Sequence, residues 1–314
     1  MNNQGSVKKA IPSNQRSVKK TIHCVSGLPR AGSTLLCSIL AQNPRFRVTP
    51  TSGIMEVVLL VRSRWNKIVE FQAAPDEEAK LRVMKSVVDG YFSDPQHDQP
   101  VVFDKCRGWL AALEALEGIL GRKAKVVVPV RDVRDVLASF EQLWRIDSST
   151  WELPQEHANY YRWQTVEGRC EVWMSPNQPV GLAYNRIQDA LARGFADRLH
   201  FVEFEELTRQ PREVMQGIYE FLEETFFEHD FEHIEQATHE DDSRIGIPGL
   251  HEIQPKLNPS VPLWPKYLGS FADRYTRLNY LWRSVKQSPA SVKPASPVSP
   301  PAETGAPEPA LGPA

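Results

Sequence analysis

Anion binding is the first chemistry these residues suggest. From Ile22 an apolar run passes through Gly27-Leu28-Pro29-Arg30-Ala31-Gly32 into Ser33-Thr34-Leu35-Leu36. A strand, a tight turn and a helix in that order aim backbone N–H groups and the positive end of a helix dipole at one point. Gly27 and Gly32 keep the G-x-x-x-x-G spacing of a phosphate loop. The lysine that a nucleotide triphosphatase places next is missing, because Ser33 and Thr34 follow directly, and the cation lies inside the loop as Arg30. About a hundred residues later Lys125-Val126-Val127-Val128-Pro129-Val130-Arg131 repeats the passage from strand to helix. Ser139 follows Arg131 two helical turns on, with Asp132 and Asp135 between them. A second cation and a second hydroxyl are thereby available for a second phosphate.

These two stretches carry a resemblance. Pro29-Arg30-Ala31-Gly32-Ser33-Thr34 resembles the 5′-phosphosulfate loop of the sulfotransferases that use 3′-phosphoadenosine 5′-phosphosulfate (PAPS), written P-[KR]-[SA]-G-[ST]-[ST]. Arg131-Asp132-Val133-Arg134-Asp135 with Ser139 is similar to that family's 3′-phosphate motif, and His200 to Pro211 followed by Ile218 to Leu222 to its late strand and helix. The likeness spans Thr21 to Leu222. It implies a central parallel sheet flanked by helices, the three-layer architecture of P-loop proteins, and transfer of a sulfuryl group from PAPS to a hydroxyl or amine.

Residue by residue, the resemblance puts Arg30 on the sulfonate and bridging oxygen. Ala31, Gly32, Ser33 and Thr34 fall around the 5′-phosphate, and Arg131 and Ser139 on the 3′-phosphate, with Asp135 orienting the loop. Phe204 falls near the adenine, and Lys256, with His251, in a late basic loop that closes over the nucleotide. The proton acceptor is left between two carboxylates. Glu56 stands where carbohydrate and tyrosyl-protein members carry their glutamate; Asp104 stands at the end of a strand, where open α/β sheets gather ligands. Lys105 and Arg107 fall to the sulfonate or to an anionic acceptor, with Asp104 then orienting them. No metal is required, since arginine and lysine can carry the charge that magnesium carries in kinases. A P-loop kinase and a non-catalytic binder of PAPS or its desulfated product PAP are the alternatives.

The elements that must position these groups alternate short β-branched runs with longer helical ones, the signature of a parallel sheet covered on both faces. Strands are expected at Thr21 to Ser26, Pro100 to Phe103, Ala124 to Val130 and Leu199 to Phe204. Helices are expected at Ser33 to Gln42, Ile54 to Phe71, Asp76 to Tyr91, Trp109 to Leu120, Val133 to Trp144, Tyr160 to Cys170, Gly181 to Arg193, Arg212 to Leu222 and Ser270 to Val285. From His239 to Pro265 periodicity fails among glycines and prolines, as in a lid or binding loop. One domain is expected over 21–286, between a disordered basic tail at 1–20 and a disordered Pro/Ala-rich tail at 287–314.

Composition narrows the function further. A formal charge of −2 over 314 residues argues against a general nucleic-acid binder. No stretch has the length and apolarity of a membrane span, and four scattered cysteines fit a reducing cytoplasm. His229 and His233 lie at helical spacing among acids but lack the H-E-x-x-H order, and read as part of a solvated acidic segment. The partner expected is a small-molecule, carbohydrate or lipid acceptor, with the oligomeric state open.

Overall fold

A computed structural model describes residues 20–94, 96–147, 160–244 and 249–286. The tail expected at 287–314 and all but the last residue of that at 1–20 lie outside the described residues. Five strands, β1 (Thr21–Val25), β2 (Phe46–Val48), β3 (Val101–Lys105), β4 (Val126–Val130) and β5 (Leu199–Glu203), form one sheet in the order β2-β3-β1-β4-β5. Every pairing is parallel. Each residue of β3 and β4 is buried, as their near-continuous apolar runs require of strands covered on both faces.

Successive side chains point to opposite faces, so each strand feeds two cores. On one face Val25, Phe103, Val127 and Val202 meet α1 (Ser33–Leu40), α9 (Phe204–Arg209) and α10 (Pro211–Leu222). Helix α10 shows why it forms: Pro211 opens its first turn, and Met215, Ile218, Tyr219 and Leu222 recur at helical spacing as its buried stripe. On the other face Cys24, Val102, Val126, Val128 and Phe201 meet α2 (Ile54–Trp65), α4 (Glu77–Phe92), α5 (Leu113–Leu120), α6 (Val133–Ile146), α7 (Val166–Trp173) and α8 (Pro179–Ala192). The buried pair Glu141–Arg169, at 2.8 Å, locks α7 to α6 just beyond Ser139, and the Arg169 guanidinium also lies over the Trp144 ring. Among the described residues no helix is long and apolar enough to cross a membrane.

Several boundaries differ from expectation. Strand β3 continues through Asp104 and Lys105, so both belong to the sheet. Phe204 opens α9 where the last strand was expected to end on it. The expected helix from Ile54 to Phe71 breaks after Trp65 and resumes as α3 (Val69–Ala73), folded back so that Trp65 stacks on Phe71 at 3.9 Å. The Tyr160 to Cys170 helix starts as a 3-10 turn, and Thr165 then caps α7 by accepting from the Gly168 N–H. The closing helix is a 3-10 run, Gly269–Asn279, followed by α12 (Tyr280–Lys286). In the irregular segment α11 (Trp264–Tyr267) is a single turn. Edge strand β2, three residues long, is too short to leave a periodic signal.

Two buried histidines make the fold acid-sensitive. His23, on β1, has both ring nitrogens buried without a hydrogen-bond partner and packs on Phe103. Burial, helped by Arg122 and Lys125, pushes its pKa down to about 3; burial likewise pushes His229 down to about 4. Both rings therefore stay neutral in the fold, while the unfolded chain takes up protons near pH 6.5. Stability falls as pH drops below about 6.5, and keeps falling toward about 4 for His229 and about 3 for His23. His23→Phe removes one of these protons, so its loss of stability between pH 6 and 4 should be shallower by up to about 1.4 kcal/mol per pH unit. Urea unfolding at several pH values measures this, and an unchanged slope would refute it.

Candidate functional site

The chain leaves β1 toward β2 and leaves β4 toward β5, so the crevice between these two strand ends is the topological switch point where open α/β sheets bind ligands. Both loops are fixed there. Ser26 N–H donates to the Val127 carbonyl at 3.0 Å and Leu28 N–H to the Pro129 carbonyl at 2.9 Å. Arg30 and Gly32 both take left-handed backbone conformations, with φ of 58° and 77°. At Gly32 this is combined with contact: a Cβ would lie 2.5 Å from the Phe204 ring. Gly32 then caps α1 without any side-chain bond, and the first-turn N–H groups of that helix stay available to an anion.

The two phosphate-type stretches meet across this crevice. Arg131 donates to the Arg30 carbonyl at 3.3 Å, and Arg30 Nε donates to Ser139 Oγ at 3.1 Å. Above them the Arg131 guanidinium lies 4.8 Å from the Phe204 ring centroid, a cation–π contact. Burial lowers the pKa of both arginines, and for Arg30 the nearby Arg131 charge lowers it further. Asp135 lies 4.0 Å from Arg131 and accepts from the Leu263 and Trp264 N–H groups, so it ties the late segment to α6 behind the arginine.

Arg30, Gly32, Ser33, Thr34, Lys105, Arg131, Phe204 and Lys256 all line one cavity of about 420 Å³. Ala31 is buried in the loop, and Ser139 joins through its bond to Arg30. Lys256 also pairs with Glu232, and the Arg30 guanidinium donates to the Leu250 carbonyl of the late segment. Glu56 is exposed in the first turn of α2 and is not among the lining residues. Thr51, which does line the cavity, lies just before that turn, and the Ser52 N–H bonds the Lys105 carbonyl at 2.9 Å, fixing the entry to α2 against the end of β3.

Asp104 is fully buried beneath this turn. One of its oxygens accepts from the Thr49 hydroxyl at 3.2 Å and the other from the Trp109 indole N–H at 2.6 Å. Burial pushes its carboxyl pKa up, against those bonds. Its neighbour Lys105 points to the opposite face, where Nζ reaches Thr34 Oγ1 at 3.4 Å and Glu240 at 2.7 Å. Glu240 also accepts from the N–H and hydroxyl of Thr51, each at 2.8 Å. Burial would raise the Glu240 pKa; the bonds from Lys105 and Thr51 outweigh it and hold the carboxyl at about 2. His251, also on the cavity wall, has Nδ1 bonded to Asp242 at 2.5 Å, which leaves Nε2 as its free nitrogen.

Glu240, Asp242, Thr49 and Thr51 are contacts that sequence reading missed. Glu240 and Asp242 come from the aperiodic segment, where only the density of glycine and proline marked a binding loop. Thr49 and Thr51 lie in the short connection between β2 and α2.

Comparison with known proteins follows the same lines. A family model described as "Sulfotransferase family" matches residues 24–228. No curated protein matches the sequence. Among solved structures, the sulfotransferase domain of the Synechococcus PCC 7002 olefin synthase is similar over 90% of this chain and 99% of its own, at 20% identity and a TM-score of 0.49. The sulfotransferase domain from the curacin biosynthetic pathway is similar over 83% and 97%, at 17% identity and 0.47. A sulfotransferase from Alicyclobacillus acidocaldarius is similar over 87% and 98%, at 14% and 0.47.

Proposed function

Because this chain belongs to the sulfotransferase family, we propose that its donor is PAPS and that Glu56 takes the proton from the acceptor hydroxyl or amine. The observation that carries the donor reading is the joined Arg30–Arg131–Ser139 cluster. A sulfuryl donor with a 3′-phosphate needs two anion sites at fixed separation, and the cluster supplies a cation from each loop, with the Ser139 hydroxyl on one side and Ser33 and Thr34 following Arg30 on the other. The site also fits such a ligand by its unmet needs. Arg131 Nε is buried without a hydrogen-bond partner, and Gly32, whose missing Cβ lets the Phe204 ring pack directly on the loop, leaves the first-turn N–H groups of α1 without a side-chain cap.

In this reading Ser33, Thr34 and the Gly32 amide hold the 5′-phosphate, Arg131 and Ser139 the 3′-phosphate, and Phe204 the adenine. The acceptor oxygen or nitrogen gives its proton to Glu56 and forms a bond to sulfur as the bond from sulfur to the bridging oxygen breaks. The electron pair goes to that oxygen on the departing PAP, where Arg30 and Lys105 meet the developing charge. In the structure Lys105 holds the Glu240 carboxylate and Arg30 the Leu250 carbonyl, so both cations already have oxygen partners that a sulfonate would exchange. Asp104, with both oxygens accepting hydrogen bonds under the Thr49 to Ser52 turn, serves as a positioning residue for the segment that leads to Glu56. Lys256 and His251 stand on the wall from which a late loop would cover the nucleotide.

Isothermal titration tests the donor reading. PAP is expected to bind in the micromolar range and about tenfold or more tightly than ATP with magnesium, because only PAP presents a 3′-phosphate to Arg131. Preferential magnesium-dependent binding of ATP would overturn it in favour of a kinase-like site.

A further inference from the structure

Away from the donor cluster, the cavity wall carries the Arg107 guanidinium, the Arg186 side chain reaches the same turn, and among the described residues no carboxylate pairs with either. Arg107 lies two residues past the end of β3 and lines the cavity. Arg186, on α8 and not itself among the cavity-lining residues, donates to the Arg107 carbonyl at 3.4 Å, which brings its guanidinium to the backbone at this corner. Among the described residues neither guanidinium has a carboxylate within ion-pair distance. Acids on the neighbouring elements are committed elsewhere: Asp104 accepts from Thr49 and Trp109, and Asp189, one turn on from Arg186, and Glu114 both pair with Arg193, at 3.0 and 2.6 Å.

This corner packs against α2, the helix that carries the proposed proton acceptor. A Cβ on Gly108 would lie 2.2 Å from the Met55 methyl group, so the turn carrying Arg107 rests on the residue preceding Glu56. Pro179, the first residue of α8, lies on the same cavity wall and puts the positive end of a 14-residue helix there. Phe140 and Leu250 supply apolar surface nearby. Arg107 is surrounded by protein yet reached by solvent, as a cavity wall should be; this crowding first, and the Arg186 charge second, lower its pKa. Two like charges held together without a counter-ion are costly unless an incoming anion relieves them.

We propose that this corner is the acceptor subsite and that it selects an anionic acceptor: Arg107 and Arg186 hold a carboxylate or phosphate while the acceptor's hydroxyl or amine faces Glu56. This rests on the sulfotransferase reading above. The arginine pair fixes the far end of the acceptor, and a neutral alcohol of the same shape loses that anchor.

Calorimetry on PAP-saturated protein tests it with three probes of one scaffold: 4-(hydroxymethyl)benzoate, 4-(hydroxymethyl)phenyl phosphate and the neutral methyl ester of the benzoate. At least one anion should bind about tenfold more tightly than the ester, the scale of a charge-assisted hydrogen bond; the tighter of the two identifies the anion. Arg107→Gln and, independently, Arg186→Gln should each remove that advantage. An ester that binds as well as the anions overturns the proposal, and so does an advantage that survives both substitutions, because the anion then sits on Arg30 and Lys105. The PAP titration that precedes each experiment reports the donor site by itself. Failure to bind PAP overturns the donor reading, whereas PAP binding without anion preference overturns only the acceptor class.

Discussion

Arg131→Ala is expected to weaken PAP binding about a hundredfold, on the scale of two charge-assisted hydrogen bonds to phosphate. Two contacts and one unmet donor of Arg131 support this loss. Its guanidinium joins the two loops through the Arg30 carbonyl, it lies over Phe204, and its buried Nε has no protein partner. Removing the side chain takes away the phosphate contact and also the surface against which the Phe204 ring is held. Ser139→Ala, which deletes one neutral donor, should cost about tenfold or less. Adenosine 5′-phosphosulfate, which lacks the 3′-phosphate, supplies the internal control: its affinity should change far less than that of PAP. Equal losses for both ligands would mean that Arg131 acts only through the fold of the loop. An unchanged PAP affinity would remove the 3′-phosphate from this site.

Much of the candidate site is visible in the sequence because an anion-binding loop is local chemistry. Arg30, Gly32, Ser33 and Thr34 lie within five consecutive positions, and Arg131 and Ser139 on one strand end and the helix after it. Short-range order of that kind survives in a linear string. The sheet was legible for a related reason, since strands buried on both faces, such as Val126–Val130, must be apolar throughout. What escaped reading depends on residues far apart in the chain. Thr49 and Asp104 meet only because β2 pairs with β3, and Lys105 meets Glu240 across more than a hundred residues of chain. No periodicity encodes these contacts. Asp104 illustrates the consequence: its place at a strand end left it open as a base or as an orienting group, and full burial under Thr49 and Trp109 favours the second.

The largest effect is expected from Glu56→Gln, which should lower kcat by about 10²- to 10⁴-fold while PAP affinity stays within about twofold. Glutamine keeps the size and polarity of the side chain but cannot accept a proton, so the loss isolates proton transfer from packing. Exposure, rather than a place on the cavity wall, favours Glu56 over its rival. It is exposed in the first turn of α2, beyond the cavity-lining Thr51 and above a turn tied to the end of β3. Asp104 has neither exposure nor a free oxygen facing the cavity, and its carboxyl is a buried acceptor of two hydrogen bonds. Asp104→Asn should therefore cost stability and turnover together, by loosening the segment that carries Thr51. Single-turnover transfer of ³⁵S from labelled PAPS separates the cases. Loss of the chemical step in Glu56→Gln alone, with an unaltered melting temperature, assigns the proton to Glu56. Full activity in Glu56→Gln with loss in His251→Ala would reassign it to the imidazole that Asp242 orients on the cavity wall.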